Sequence, residues 1–162
     1  MVDPKVEAPL RKMLGHIMRG ETDDALELAE EIGPQTYESA VALAIAASGY
    51  IAIDTASRWP NQADIKALAK HAATTRGSQV TESEISDYLS RVVLGSDNPL
   101  DVFQGNRAAI IPLFATANLL VSYSGLYADQ WEYLDAIWNA IDEADQLQPA
   151  VLPAATFRLG RK

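Results

Sequence analysis

The sequence predicts an all-α fold: a single-domain bundle of about six to seven helices around a central apolar helix, with a flexible C-terminal tail. Three observations carry that prediction. Apolar residues recur at helical spacing along most of the chain, and no run keeps the two-residue alternation of a half-buried strand. Helix-punctuating residues such as Asp3-Pro4, Gly33-Pro34, Asn61 and Thr81 fall between the periodic segments. The 26 alanines add favourable helix propensity. At 162 residues the chain can bury a real core, so one domain is expected over residues 1–147 and the tail over residues 148–162.

The first helix begins at Asp3-Pro4, an N-cap followed by a proline whose missing N–H costs nothing in the first turn. Its apolar stripe is Val6, Leu10, Met13, Leu14 and Ile17, and Gly20 ends it. A second, short helix follows Thr22, with Ala25, Leu28, Ala29 and Ile32 inward and Asp24, Glu27, Glu30 and Glu31 outward, and stops at Gly33-Pro34. The third is expected from Thr36 to about Arg58, because Trp59-Pro60-Asn61 breaks it, and its low charge makes it the central helix. Small residues at Ala42, Ala46, Ala47 and Gly49 are expected to let a neighbour approach closely.

The fourth helix is capped by Asn61, presents Ile65, Leu68, Ala69 and Ala72, and is expected to end near Gly77. Thr81-Glu82-Ser83-Glu84 reads as a capping box that starts the fifth, which buries Ile85, Leu89, Val92 and Val93 and closes at Gly95. Asn98-Pro99 opens a short helical turn through Phe103. A helix without charges in its body then runs from about Arg107 to Ser124, with Pro112 one turn in or kinking it, and the last helix runs from about Ala128 to Leu147.

Twenty-two acidic residues against thirteen Lys and Arg leave a net charge of −9, which argues against a nucleic-acid partner. The absence of cysteine rules out disulfides, thiolate metal sites and thiol nucleophiles. Met1-Val2-Asp3-Pro4-Lys5 lacks the pattern of a secretory signal, so a cytoplasmic protein is expected. Ala108 to Ala128 carries no charge over about the length a bilayer requires, yet its polar residues, among them Asn118, Ser122 and Ser124, favour a buried helix, and no membrane partner is expected. Both ends of the chain are basic while the middle holds the acidic excess, so the ends are expected to be able to dock onto the acidic body or onto another copy.

The stretch Ala63 to Gly95, with Asp64-Ile65-Lys66-Ala67-Leu68-Ala69, Ala72-Ala73, Val80-Thr81-Glu82 and the Leu89 helix, resembles the helix pair of AAA+ ATPase lids and of histone-type folds. No Gly-x-x-x-x-Gly-Lys-Ser/Thr run precedes it, so neither nucleotide binding nor a functional residue carries over. Glu27-Leu28-Ala29-Glu30 and Glu132-Tyr133-Leu134-Asp135 are similar to the paired acidic motifs of MazG-type pyrophosphatases, all-α enzymes that use Mg²⁺. In that family the motifs lie on adjacent helices joined by a short connection, whereas roughly a hundred residues separate them in this chain.

Groups that most often carry catalysis are scarce. His16 and His71 are the two histidines, both expected at the surface, and no His-Glu-x-x-His, Gly-x-Ser-x-Gly or Ser-x-x-Lys spacing occurs. Catalytic, metal-binding and cofactor-binding residues are therefore expected to be absent. The distinctive chemistry is aromatic and lies in the last helix, where Tyr127, Trp131, Leu134, Trp138 and Ile141 follow a four-three spacing widened by Ile137 and Ala144, with Glu132, Asp135, Asn139 and Asp142 opposite. Such a seam faces the core, a pocket or a partner, and an apolar face too wide for one neighbour favours a homodimer with Trp131 or Trp138 at the contact. The sequence thus points to a non-catalytic helical interaction or regulatory protein, with a protein partner or a second copy. Its alternatives are a small-molecule pocket lined by Trp131, Trp138 and Tyr123, and a Mg²⁺-dependent phosphohydrolase using the acidic pairs.

Overall fold

A computed structural model describes residues 2–95 and 106–147, which form seven helices and no strand. The expected turn at Asn98–Phe103 and the expected tail over residues 148–162 lie outside the described residues. Helix α1 (Pro4–Met18) starts where the Asp3 side chain accepts the Lys5 backbone N–H at 2.9 Å and Pro4 takes the first helical position. Helices α2 (Thr22–Ile32) and α3 (Pro34–Ala56) share Gly33 as the one residue between them. Its φ of 83° is a value that only glycine adopts without strain, and it reverses the chain in a single step. Pro34 then suits the first helical position, so α3 begins two residues before the expected Thr36.

Helix α4 (Gln62–Ala72) opens with a full capping box, in which Asn61 accepts the Asp64 N–H at 2.9 Å and Asp64 accepts the Asn61 N–H at 3.0 Å. It stops at Ala72, short of the expected Gly77, because the chain turns in three-residue steps held by Thr74 N–H on His71 O and Thr75 N–H on Ala72 O. Thr75 also lies 3.2 Å from the Ser122 hydroxyl, which fixes this turn against the neighbouring helix. Helix α5 (Glu82–Val93) begins at the predicted Thr81–Glu84 box. Helix α6 is Asn106–Tyr123, and Pro112 lies in its second turn. Helix α7 (Gln130–Leu147) starts two residues after the expected Ala128, because Asp129 caps it by accepting the N–H groups of Trp131 at 3.0 Å and Glu132 at 2.9 Å.

Helix α3 is the central apolar helix and touches all six others, most extensively α6. Their closeness follows from Ala40, Ala44, Ala47 and Ser48, all fully buried on α3, so that Thr116 of α6 donates its hydroxyl to the Ala44 carbonyl at 3.0 Å. Ala42, expected at this approach, faces solvent one step round the helix. Every residue from Ile111 to Leu120 of α6 is buried, which makes α6 a second interior helix beside α3. Buried polar groups also tie α5 to α3: the Tyr88 hydroxyl of α5 lies 2.7 Å from the Ser48 hydroxyl of α3, which donates to Ile45 O at 2.9 Å. Among the described residues, the helix long and apolar enough to span a bilayer is α3, and half of its most apolar stretch is buried by its neighbours. The charge-free stretch read from sequence contains the α6 run Ile110–Tyr123, which is buried from Ile111 to Leu120.

Candidate functional site

Helices α1 and α7 run antiparallel, joined by a ladder of side chains. The Val2 N–H donates to Asp142 at 2.8 Å, Trp138 Nε1 donates to Glu7 at 3.2 Å, and Arg11 donates to Asp135 at 2.5 Å. At the fourth rung the Trp131 ring packs toward Gly15, where an added Cβ would lie 3.6 Å from it. Asp135 and Asp142, expected on the polar side of α7, thus reach across to α1. Burial opposes the Arg11 charge, but the bonds to Asp135 and Glu7 outweigh it and hold the guanidinium above its ordinary pKa.

The aromatic seam divides along its length. Leu134, Trp138 and Ile141 are buried together with Tyr133 and Ile137, and Trp138 is only 6% exposed. The wide apolar face is therefore covered within the chain: α3 and α6 pack on it, and the α1 ladder closes its flank. Tyr127 stacks on Tyr133 with ring centres 4.7 Å apart, and the Tyr133 hydroxyl donates to Asp54 of α3 at 2.9 Å. Burial, with Asp54 beside it, pushes that hydroxyl far above the usual tyrosine pKa. Tyr123, at the end of α6, packs on His71 at 5.2 Å. The three residues expected to line one pocket, Trp131, Trp138 and Tyr123, therefore have three different settings.

Trp131 alone of these lines an open groove of about 650 Å³ between α1, α2 and α7, together with Pro9, Gly15 and Leu28. Arg11 lies 5.6 Å from the centre of its ring, and Glu7, which Arg11 binds, lines the α1 side with Lys12, His16 and Arg19. Lys12 and Arg19 are exposed. Sequence reasoning missed the groove itself, since it depends on the separation of α1 from α7; the cationic spacing of Arg11, Lys12 and Arg19 on one helix was the available signal.

At the α1–α2 corner, the ligand atoms of His16, Glu21 and Asp24 lie within 4.8 Å of one another. Arg19 occupies this cluster, donating its Nε to Glu21 at 2.9 Å with another guanidinium nitrogen 3.3 Å from His16 Nδ1. The hydrogen bond with His16 and then that from Arg19 hold the Glu21 carboxyl below its ordinary pKa, so the corner is an ion-pair network with its own cation. The acidic pairs proposed from sequence are committed elsewhere: Glu27 and Glu30 are exposed on α2, Asp135 is bound to Arg11, and Glu132 accepts the Ala128 N–H. No protein-family model, curated protein or solved structure matches the chain.

Proposed function

We propose that this chain is a non-catalytic helical interaction protein that pairs with a second copy of itself through the face where α1, α2 and the start of α7 meet. One observation carries the reading: two complementary features lie side by side on that face. The first is the Trp131-floored groove with Lys12 and Arg19 on its rim. The second is the outer ridge of α2, where Asp23, Asp24, Glu27, Glu30 and Glu31 are all exposed and Leu26 is 40% exposed among them. A twofold axis beside them lays each ridge across the partner's groove, seating Leu26 toward Trp131 and the acids toward Lys12 and Arg19. Trp138 is already used by the fold of one copy, so Trp131 is the aromatic residue of the contact.

Sedimentation velocity at tens of micromolar protein tests the pairing. The wild type is expected to be a dimer that weakens as salt rises, because added salt shortens the screening length below the ~8 Å of physiological salt and weakens exposed charge pairs. Lys12→Glu, an exposed change with little effect on folding, is expected to raise the dimer Kd at least about tenfold, equivalent to ~1.4 kcal/mol. Adding Asp24→Lys and Glu27→Lys to that variant is expected to restore the dimer. A wild-type monomer, or a dimer indifferent to both salt and Lys12→Glu, overturns the proposal.

A further inference from the structure

On the other side of Arg19 lies a second cavity, of about 410 Å³, between the end of α1, the turn after α4 and the outer side of α6. That volume is within the range of small-molecule sites. Ile17, Met18, Phe114, Ala117 and Val121 give it an apolar floor, and among the described residues no acidic one lines it, although the chain carries a net charge of −9. Two cations edge it. Arg19 already shares Glu21, whereas Arg76 has no hydrogen bond or ion pair among the described residues.

Two uncharged polar side chains line the cavity, and of these the Thr75 hydroxyl lies 3.2 Å from that of Ser122, which leaves Asn118 as the anchor. Asn118 is 4% exposed, and its Nδ2 donates to the Ser78 hydroxyl at 2.7 Å. The direction of that bond is fixed, because the Ser78 hydroxyl spends its own proton on the Val80 carbonyl at 2.7 Å and can only accept from Asn118. Asn118 Oδ1 is thereby left as an acceptor with no hydrogen bond among the described residues. Among the described residues no buried side-chain oxygen or nitrogen is sealed away without a partner, so solvent reaches Oδ1, and Asn118 lines the cavity. A ligand that donates to this acceptor replaces a water there, which an N–H or O–H group does at little loss.

We infer that this cavity binds a small amphiphilic anion: an apolar body over Phe114 and Ala117, one N–H or O–H group donating to Asn118 Oδ1, and an anionic head on Arg76 with Arg19 beside it. The separation of roles follows from burial, since Asn118 is buried and Arg76 is exposed. Arg76 supplies a planar pair of donors suited to a carboxylate. This site is separate from the dimer face, and its test does not depend on pairing.

The probes are indolepropionate and ω-hydroxyoctanoate, an aromatic and an aliphatic carboxylate that each carry one donor. Binding is followed by calorimetry and by amide shifts in labelled protein. At least one probe is expected to bind at millimolar concentration or tighter and to shift the amides of Thr75–Gly77 and Ala117–Val121. Arg76→Gln, a change at an exposed side chain, is expected to weaken it about tenfold or more, and Arg76→Lys to recover part of the loss. Removing the carboxylate, as in ethylindole, is expected to cost a similar factor. If neither probe binds the folded protein, if the shifts fall elsewhere, or if affinity is the same in Arg76→Gln, the assignment is wrong. Equal affinity for N-methylated indolepropionate removes Asn118 from the site.

Discussion

Single residues at helix ends carry local strain and local relief, and Ser57 is the clearest case. It ends α3 in the left-handed region at φ 57, the one described non-glycine residue with positive φ. A side chain there costs about 1–2 kcal/mol, part of which glycine recovers after its larger unfolded-state entropy is subtracted. Ser57→Gly is therefore expected to stabilise the protein by roughly 0.5 kcal/mol, read as a higher urea midpoint with an unchanged slope. A lower midpoint would show that the Ser57 side chain contributes more than its backbone costs. Capping residues were legible in advance for the same local reason: Asp3, Asn61 and Thr81 each bond to backbone groups two or three residues away, so sequence spacing is enough to find them.

Among the elements, the pairing of α3 with α6 sets the geometry of the rest. Both helices are nearly apolar all round, so neither has an amphipathic stripe that tells a reader which side faces which neighbour. The small-residue pattern on α3 announced a close approach, but the contact runs through Ala40, Ala44 and Ala47, and Ala42 is left outside. Substitution separates the two sides. Ala44→Leu is expected to cost about 3 kcal/mol by forcing α6 away from the Thr116–Ala44 bond, whereas Ala42→Leu is expected to stay within about 0.5 kcal/mol. Denaturant unfolding of the two variants side by side measures this, and equal losses would place the contact elsewhere.

Taken whole, the bundle is held by two buried phenols as well as by apolar packing. Tyr88, beside Ser48 in the interior, and Tyr133, beside Asp54, are both pushed above the ordinary value of 10.0, chiefly by burial. With the folded pKa above the unfolded one, stability is complete below that ordinary value and is lost as pH climbs beyond it, at up to ~1.4 kcal/mol per pH unit for each phenol. Alkaline titration is expected to unfold the protein cooperatively, with circular dichroism and tyrosinate absorbance changing together. Tyr88→Phe is expected to lower stability at neutral pH by about 1 kcal/mol through the lost Ser48 bond and to flatten the alkaline slope. Tyrosinate absorbance rising to completion while the helices stay intact would contradict this account.

The sequence by itself determined the all-α class, the start of each described helix to within about two residues, and the inward stripes of α1, α2 and α5, because these depend on backbone capping and on the helical period. Three matters were decided only by tertiary structure. The wide aromatic face of α7 is covered by α1, α3 and α6, since three neighbours converge on it where the period alone indicates only that something must. Trp131 opens on a groove because α1 and α7 are held apart by long side chains reaching across from both helices. Arg76 and Asn118 meet at one cavity although 42 positions separate them. An amide inside the charge-free body of α6 was a visible signal, but an isolated polar residue does not name its partner. The direction in which Asn118 points is fixed by the turn that ends α4 early and brings Ser78 against α6.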